Sequence, residues 1–90
     1  MDEIRFKRLR HRAWRRGFKE ADLILGPFAD KHGPSLTDRQ ADQFEALLEE
    51  ADQDVYEWIL ERCPAPAAFD NEILHMLQQF RFEVHKAREG

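Results

Sequence analysis

Glycines and prolines cut the chain into short stretches, and within each stretch apolar residues recur every three or four positions. That spacing lines them along one side of an α-helix, whereas a half-buried strand would need strict alternation. No convincing period-two run bounded by turns is present. The clearest breaks fall at Arg16-Gly17, at Lys31-His32-Gly33-Pro34-Ser35 and at Cys63-Pro64-Ala65-Pro66. Ninety residues leave room for one domain. The pattern predicts an all-α fold, a compact five-helix bundle with residues 1–90 in a single domain.

Each helix has its own signal. The first spans about Ile4 to Trp14, with Ile4, Phe6, Leu9, Ala13 and Trp14 as its apolar stripe. The second starts near Phe18, carries Glu20 and Asp22 at the positive end of its dipole, and buries Leu23, Ile24, Leu25 and Phe28. Gly26-Pro27 should kink it, because proline lacks an amide donor and crowds the preceding turn. Thr37 and Gln40 form a capping box for helix three, preceded by Leu36 as a staple, and Ala41, Phe44, Leu47 and Leu48 point inward. Asp52 is the expected N-cap of helix four, with Asp54 in its first turn and Val55, Trp58, Ile59 and Tyr56 packing inward until Cys63-Pro64 stops it. Asp70 or Asn71 caps helix five, whose stripe is Ile73, Leu74, Leu77, Phe80 and Val84, with Lys86 and Arg88 at its negative end.

Several function classes lack their chemistry. A chain this small has little apolar surface to spare for an enclosed substrate pocket, so a self-contained enzyme is not expected and no catalytic residue is assigned. Ser35 is the sole serine and has no nucleophile elbow around it. His11, His32, His75 and His85 share no i, i+3 or i, i+4 spacing, so no metal site is expected. Cys63 is the only cysteine, which rules out an intramolecular disulfide and reads as a small half-buried residue at a helix end in a reducing compartment. No apolar run approaches the ~20 residues of a membrane span. The opening Met-Asp-Glu-Ile-Arg-Phe-Lys lacks a signal core, which points to a cytoplasmic protein. A surplus apolar stripe is missing too, so a monomer is expected.

Charge is unevenly spread along the chain. Residues 1–20 hold eight bases against three acids, and residues 38–61 hold nine acids against Arg39 alone. This asymmetry suggests two electrostatically distinct faces for partners. A basic first helix also admits an alternative, a small nucleic-acid-binding or regulatory interaction module with antitoxin-like character using residues 5–19. The overall net charge of −4 and the absence of a helix-turn-helix weigh against nucleic acid as the partner.

One short segment concentrates chemistry useful for recognition: Arg15-Arg16-Gly17-Phe18-Lys19-Glu20-Ala21-Asp22, followed by Leu25 and Phe28. Gly17 allows a partner backbone to come close, and Arg16 can make bidentate contacts to carboxylate or phosphate. Glu20 can accept hydrogen bonds. The plain alternative is a local Arg16–Glu20 pair worth a few tenths of a kcal/mol.

The segment resembles the R-G-x-x-E signature of the FAD assembly factor family of succinate dehydrogenase (SdhE type). Arg16, Gly17 and Glu20 stand at the signature positions, and Asp22, Leu25 and Phe28 match its continuation. A second block, leading to D-x-D-hydrophobic-x-x-W, is present as Phe44, Leu47, Leu48, Asp52, Asp54, Val55 and Trp58. The resemblance runs from about Arg8 to Pro64, with Phe18 in place of a common methionine. It implies a five-helix bundle of bacteria or mitochondria that binds the flavoprotein subunit of succinate dehydrogenase or fumarate reductase. It further implies that the bound subunit then attaches its FAD covalently to a histidine. Arg16, Gly17 and Glu20 would form the partner-binding surface, to which His11, Arg12 and Arg15 are added here as neighbours on the basic helix. Of the two settings, the bacterial cytoplasmic one is expected. The chain itself is expected to hold no tightly bound cofactor, acting instead on the partner's FAD.

Overall fold

The computed structural model describes residues 2–89, with side chains described as far as Val84. Five α-helices follow one another: α1 (Glu3–Trp14), α2 (Lys19–His32), α3 (Asp38–Leu48), α4 (Asp52–Ile59) and α5 (Glu72–Glu89). A 3₁₀ turn, Gly33–Ser35, links α2 to α3, and no strand occurs among the described residues. The all-α expectation holds. α2 packs against α1, α4 and α5, and α3 lies against α1 and α5.

Local chemistry sets most helix ends. Asp2 caps α1 by accepting from the Arg5 amide at 2.7 Å. Thr37 Oγ1 accepts from the Gln40 amide while Gln40 Oε1 accepts from the Thr37 amide, completing the expected capping box. Of the two candidates for α5, Asn71 is the residue that caps, through the Leu74 amide at 3.2 Å. Asp70 instead meets His75 Nε2 at 2.7 Å. Lys86 and Arg88, expected at the negative end of α5, and His85 lie outside the described side chains.

The core is the set of stripes read from periodicity. Leu9, Ile24, Leu25, Phe28, Phe44, Leu47, Leu48, Val55, Trp58, Ile59, Ile73, Leu74, Leu77 and Phe80 are buried. Phe28 sits at its centre, tilted against Phe44 at 5.5 Å and edge-on to Phe80 at 5.6 Å. Leu23, Tyr56 and Val84 are only half-buried.

Several expectations need correction. The α1 stripe is narrower than its sequence suggests, since Ile4 is 72% and Trp14 37% exposed. α2 does not end before Lys31 but continues to His32, with Pro27 inside the helix. Gly26 is needed for a steric reason: a Cβ there would come well inside 3.0 Å of the Trp14 ring. Asp52 is not the cap of α4. Ala51 holds the cap position without a side-chain bond, and Asp52 is the first helical residue.

α4 also stops before the prolines. It ends at Ile59, and Glu61 turns the chain with φ of 60°. Side chains from α5 take over its last carbonyls: Gln78 donates to Trp58 O at 3.2 Å and Arg81 to Ile59 O. That satisfaction from a neighbouring helix removes the need for another turn. Cys63, beyond this end, is exposed rather than half-buried.

The charge asymmetry is resolved inside the bundle. Arg5 meets Asp42 at 2.5 Å and Glu45 at 2.9 Å, Arg12 meets Glu49 at 2.6 Å, and Arg16 meets Asp52 at 2.5 Å. Hydrogen bonds to Asp42 and then Glu45 raise the Arg5 pKa above its ordinary value. Basic α1 therefore docks one side along the acidic side of α3 and the α3–α4 corner, so Arg5, Arg12 and Arg16 join the two charge blocks while the other bases stay on the outer side. Phe28→Ala is expected to cost roughly 3–5 kcal/mol by opening a cavity at the aromatic centre. Urea unfolding should show a lower midpoint with an unchanged slope.

Candidate functional site

The junction of α1 and α2 is a four-residue corner with unusual backbone. Arg15 closes α1, its amide reaching Arg12 O at 3.3 Å, and Phe18 opens α2 from an extended conformation. Between them Gly17 has φ of 88°, a left-handed conformation that side chains with a Cβ disfavour. A Cβ built at Gly17 would meet nothing within 4 Å. Conformation selects glycine here, and the main chain beside it is open to approach.

Both flanks of the glycine are pinned. Phe18 packs its ring on Tyr56 of α4 at 5.2 Å. Arg16 reaches into the cleft between α1 and the α3–α4 corner, where its side chain is only 8% exposed. Nη1 donates to Leu48 O and Nη2 to Glu50 O, both at 2.6 Å. Nε lies 2.5 Å from Asp52 Oδ1, a charge contact without the alignment of a hydrogen bond. The guanidinium thus closes the carbonyl end of α3 and faces the first residue of α4. Cation and helix C-terminus suit each other electrostatically.

The six residues expected at the partner surface divide by direction. His11, Arg15, Gly17 and Glu20 are exposed. Arg12 is half-buried in its ion pair with Glu49, and Arg16 is turned inward. The local Arg16–Glu20 pair is absent among the described residues, since Arg16 is committed to the α3–α4 corner. Beside a shallow groove lined by Arg12, Arg15, Arg16, Leu48 and Asp52, two further open grooves flank the corner. One, about 510 Å³, is lined by Lys7, Arg10, His11, Trp14 and Arg15. The other, about 250 Å³, runs from Glu20 and Ile24 to Tyr56, Leu60, Arg81 and Phe82.

Sequence reasoning missed three supporting residues. Asp52 was read as a cap, although the match between basic α1 and the acidic stretch that follows could have revealed its role. Asp30 accepts from Arg10 Nε and from Trp14 Nε1, the latter at 3.2 Å, and so steadies the wall of the basic groove. Nothing in the spacing signalled that Gly26 makes room for Trp14. The nucleic-acid alternative loses its main support, because Arg5, Lys7, Arg10, Arg12 and Arg16 are all paired with acids of the same chain. Among the described residues of the basic stretch, no ion pair engages Arg8, Arg15 or Lys19.

No group of three or more metal-capable side chains converges among the described residues, and no described helix is long and apolar enough to cross a membrane. The features define a class: a small helical module that displays one exposed, glycine-centred corner between open grooves. A sequence model of the family described as flavinator of succinate dehydrogenase matches residues 7–81. The chain belongs to that family.

Relatives are similar over most of the chain. Mitochondrial succinate dehydrogenase assembly factor 2 of Meyerozyma guilliermondii is 42% identical, over 86% of this chain and 60% of its own length. The protein of the same name from Candida glabrata is 42% identical, over 81% and 50%. That of Dictyostelium discoideum is 36% identical, over 80% and 51%. The chain thus spans about half, up to three fifths, of the length of these relatives. They are mitochondrial proteins of eukaryotes, which overturns the expectation of a bacterial cytoplasmic protein. That expectation rested on the opening residues, which do not decide the compartment of a chain spanning only part of its relatives.

Gly17→Ala should destabilise the chain by about 1–2 kcal/mol, the cost of a Cβ in left-handed backbone. Gly17→Asn should cost less, since asparagine tolerates that region better. Urea titrations of the three chains measure the order.

Proposed function

We propose that this chain is a non-enzymatic assembly factor that binds the flavoprotein subunit of succinate dehydrogenase, or of fumarate reductase, and promotes covalent attachment of that subunit's FAD. The observation that carries the reading is the family match across residues 7–81, a span that includes the exposed Gly17–Glu20 corner. The relatives' own name, succinate dehydrogenase assembly factor, supports it.

The corner suits a protein client better than a small substrate. Gly17 offers bare main chain, Glu20 an exposed carboxylate, and Arg15 and His11 exposed donors alongside. Attachment of FAD needs the flavin and the acceptor histidine of the client held close and aligned, and positioning alone can lower such a barrier by several kcal/mol. A binding protein achieves this by preferring the conformer in which the two are aligned. Every ~1.4 kcal/mol of preference raises the ratio of that conformer to the others about tenfold. The bond forms between groups of the client, so no acid or base on this chain is required. FAD accordingly belongs to the client, and the free chain holds none tightly.

The test is reconstitution of the apo flavoprotein subunit with FAD, with and without this chain, reading covalent flavin by in-gel fluorescence. Glu20→Ala should weaken complex formation and covalent flavin together, about tenfold or more if the carboxylate makes a charge-assisted bond to the client. Lost flavin attachment with undiminished binding would assign Glu20 a chemical role instead and contradict the chaperone reading.

A further inference from the structure

We infer that Arg16 acts as a positioning residue that never touches the client, and that Asp52 is its working partner. The inference rests on the functional reading above for the identity of the client, and on the bundle itself for the rest. Each guanidinium nitrogen has a partner within the chain: Nη1 on Leu48 O, Nη2 on Glu50 O and Nε beside Asp52 Oδ1. With the side chain 8% exposed, at one wall of a shallow groove it shares with Arg12, Arg15, Leu48 and Asp52, the group offers a second protein little surface while these contacts hold. The residue beside it, Gly17, is exposed, and so are Lys19 and Glu20. Arg16 therefore fixes, from behind, the edge that its neighbours present.

The geometry also gives the two sequence blocks a common physical cause. Arg16 comes from the first block, and Leu48 and Asp52 come from the second, 32 and 36 residues later. One charge-assisted network joins them, so each block needs the other to hold its shape. Phe18 on Tyr56 repeats the tie on the far side of Gly17. A glycine corner left without such ties would sample many backbone states, and a client would have to order it on binding. Lysine cannot replace the arginine, because a single ammonium does not span three acceptors in this planar arrangement. The outward cation at the edge is then Arg15, which is exposed and engages no acid among the described residues.

Four variants decide the matter: Asp52→Asn, Asp52→Glu, Arg16→Gln and the double Asp52→Asn/Arg16→Gln. Hydrogen exchange of the free chain reads the corner directly. The amides of Arg15 and Asp22, bonded to Arg12 O and Phe18 O at the two edges of the corner, should exchange about tenfold faster in Asp52→Asn and Arg16→Gln, with core amides of α5 unchanged, since one charged contact is worth about that factor. Affinity for the apo flavoprotein subunit should fall in both single variants, and the double should bind no more weakly than Arg16→Gln alone. Asp52→Glu, which keeps the charge, should retain wild-type affinity. Should Arg16→Gln fail to fold, Asp52→Asn still carries the test, because that side chain is 30% exposed and its loss is milder. Weakened binding by Arg16→Gln with wild-type exchange at the Arg15 and Asp22 amides would show a direct contact and overturn the inference, as would losses that multiply in the double variant. If the wild-type chain does not bind that subunit at all, the functional reading fails, while the exchange result still upholds or overturns the role of Arg16.

Discussion

The burial of one guanidinium against two carbonyls and a carboxylate organises this bundle. Arg16 closes the end of α3, meets the start of α4 and stands next to the glycine where α1 turns into α2. Two helix junctions, α1–α2 and α3–α4, thus converge on a single side chain. Removing it would leave two helix-end carbonyls and a partly buried carboxylate without their partner, a costlier state than never having placed a charge there. The short helices need such help. α3 has eleven residues and α4 eight, below the ~12–15 at which an isolated helix becomes even marginal in water.

The same logic extends along α1. Arg5, Arg12 and Arg16 lie on the side that faces α3 and the α3–α4 corner, and each finds an acid there. The outer pairs are partly exposed, so each contributes little on its own. Their value is in register: alternating the docking of α1 by one turn would separate every pair at once. At the other end of α4, Gln78 and Arg81 repeat the device by taking carbonyls of a neighbouring helix. Side chains from long helices finish the short ones.

What was legible in the sequence was what local chemistry decides. The stripes from Leu9 to Phe80 could be read because helix period and burial go together, and the Thr37–Gln40 box because both partners lie within one turn. What escaped was decided at a distance. An acid at a helix start suits a cap or an ion pair equally well, and the choice at Asp52 is made by an arginine 36 residues upstream. The stop of α4 at Ile59 is set by α5, not by the nearby prolines. Of the candidate site, the Gly17 corner and the exposed Glu20 were visible as motif positions. The inward turn of Arg16 was not, since direction depends on packing and a basic helix reads as solvated.

The proposed function would draw on a pre-ordered corner more than on chemistry of this chain's own. A corner whose flanks are tied down can present main chain and carboxylate to a large client without first being ordered, which saves entropy on binding. The proposed client follows from the family match, and the proposed meeting edge from the exposure of Arg15, Gly17 and Glu20. The most direct measurement is hydrogen exchange of the chain with and without saturating apo flavoprotein subunit. The account predicts that protection appears along the edge from Arg15 to Glu20 and on the neighbouring turn of α1 at His11. Protection confined to the opposite groove around His32, His75 and Met76, with the corner unchanged, would contradict it.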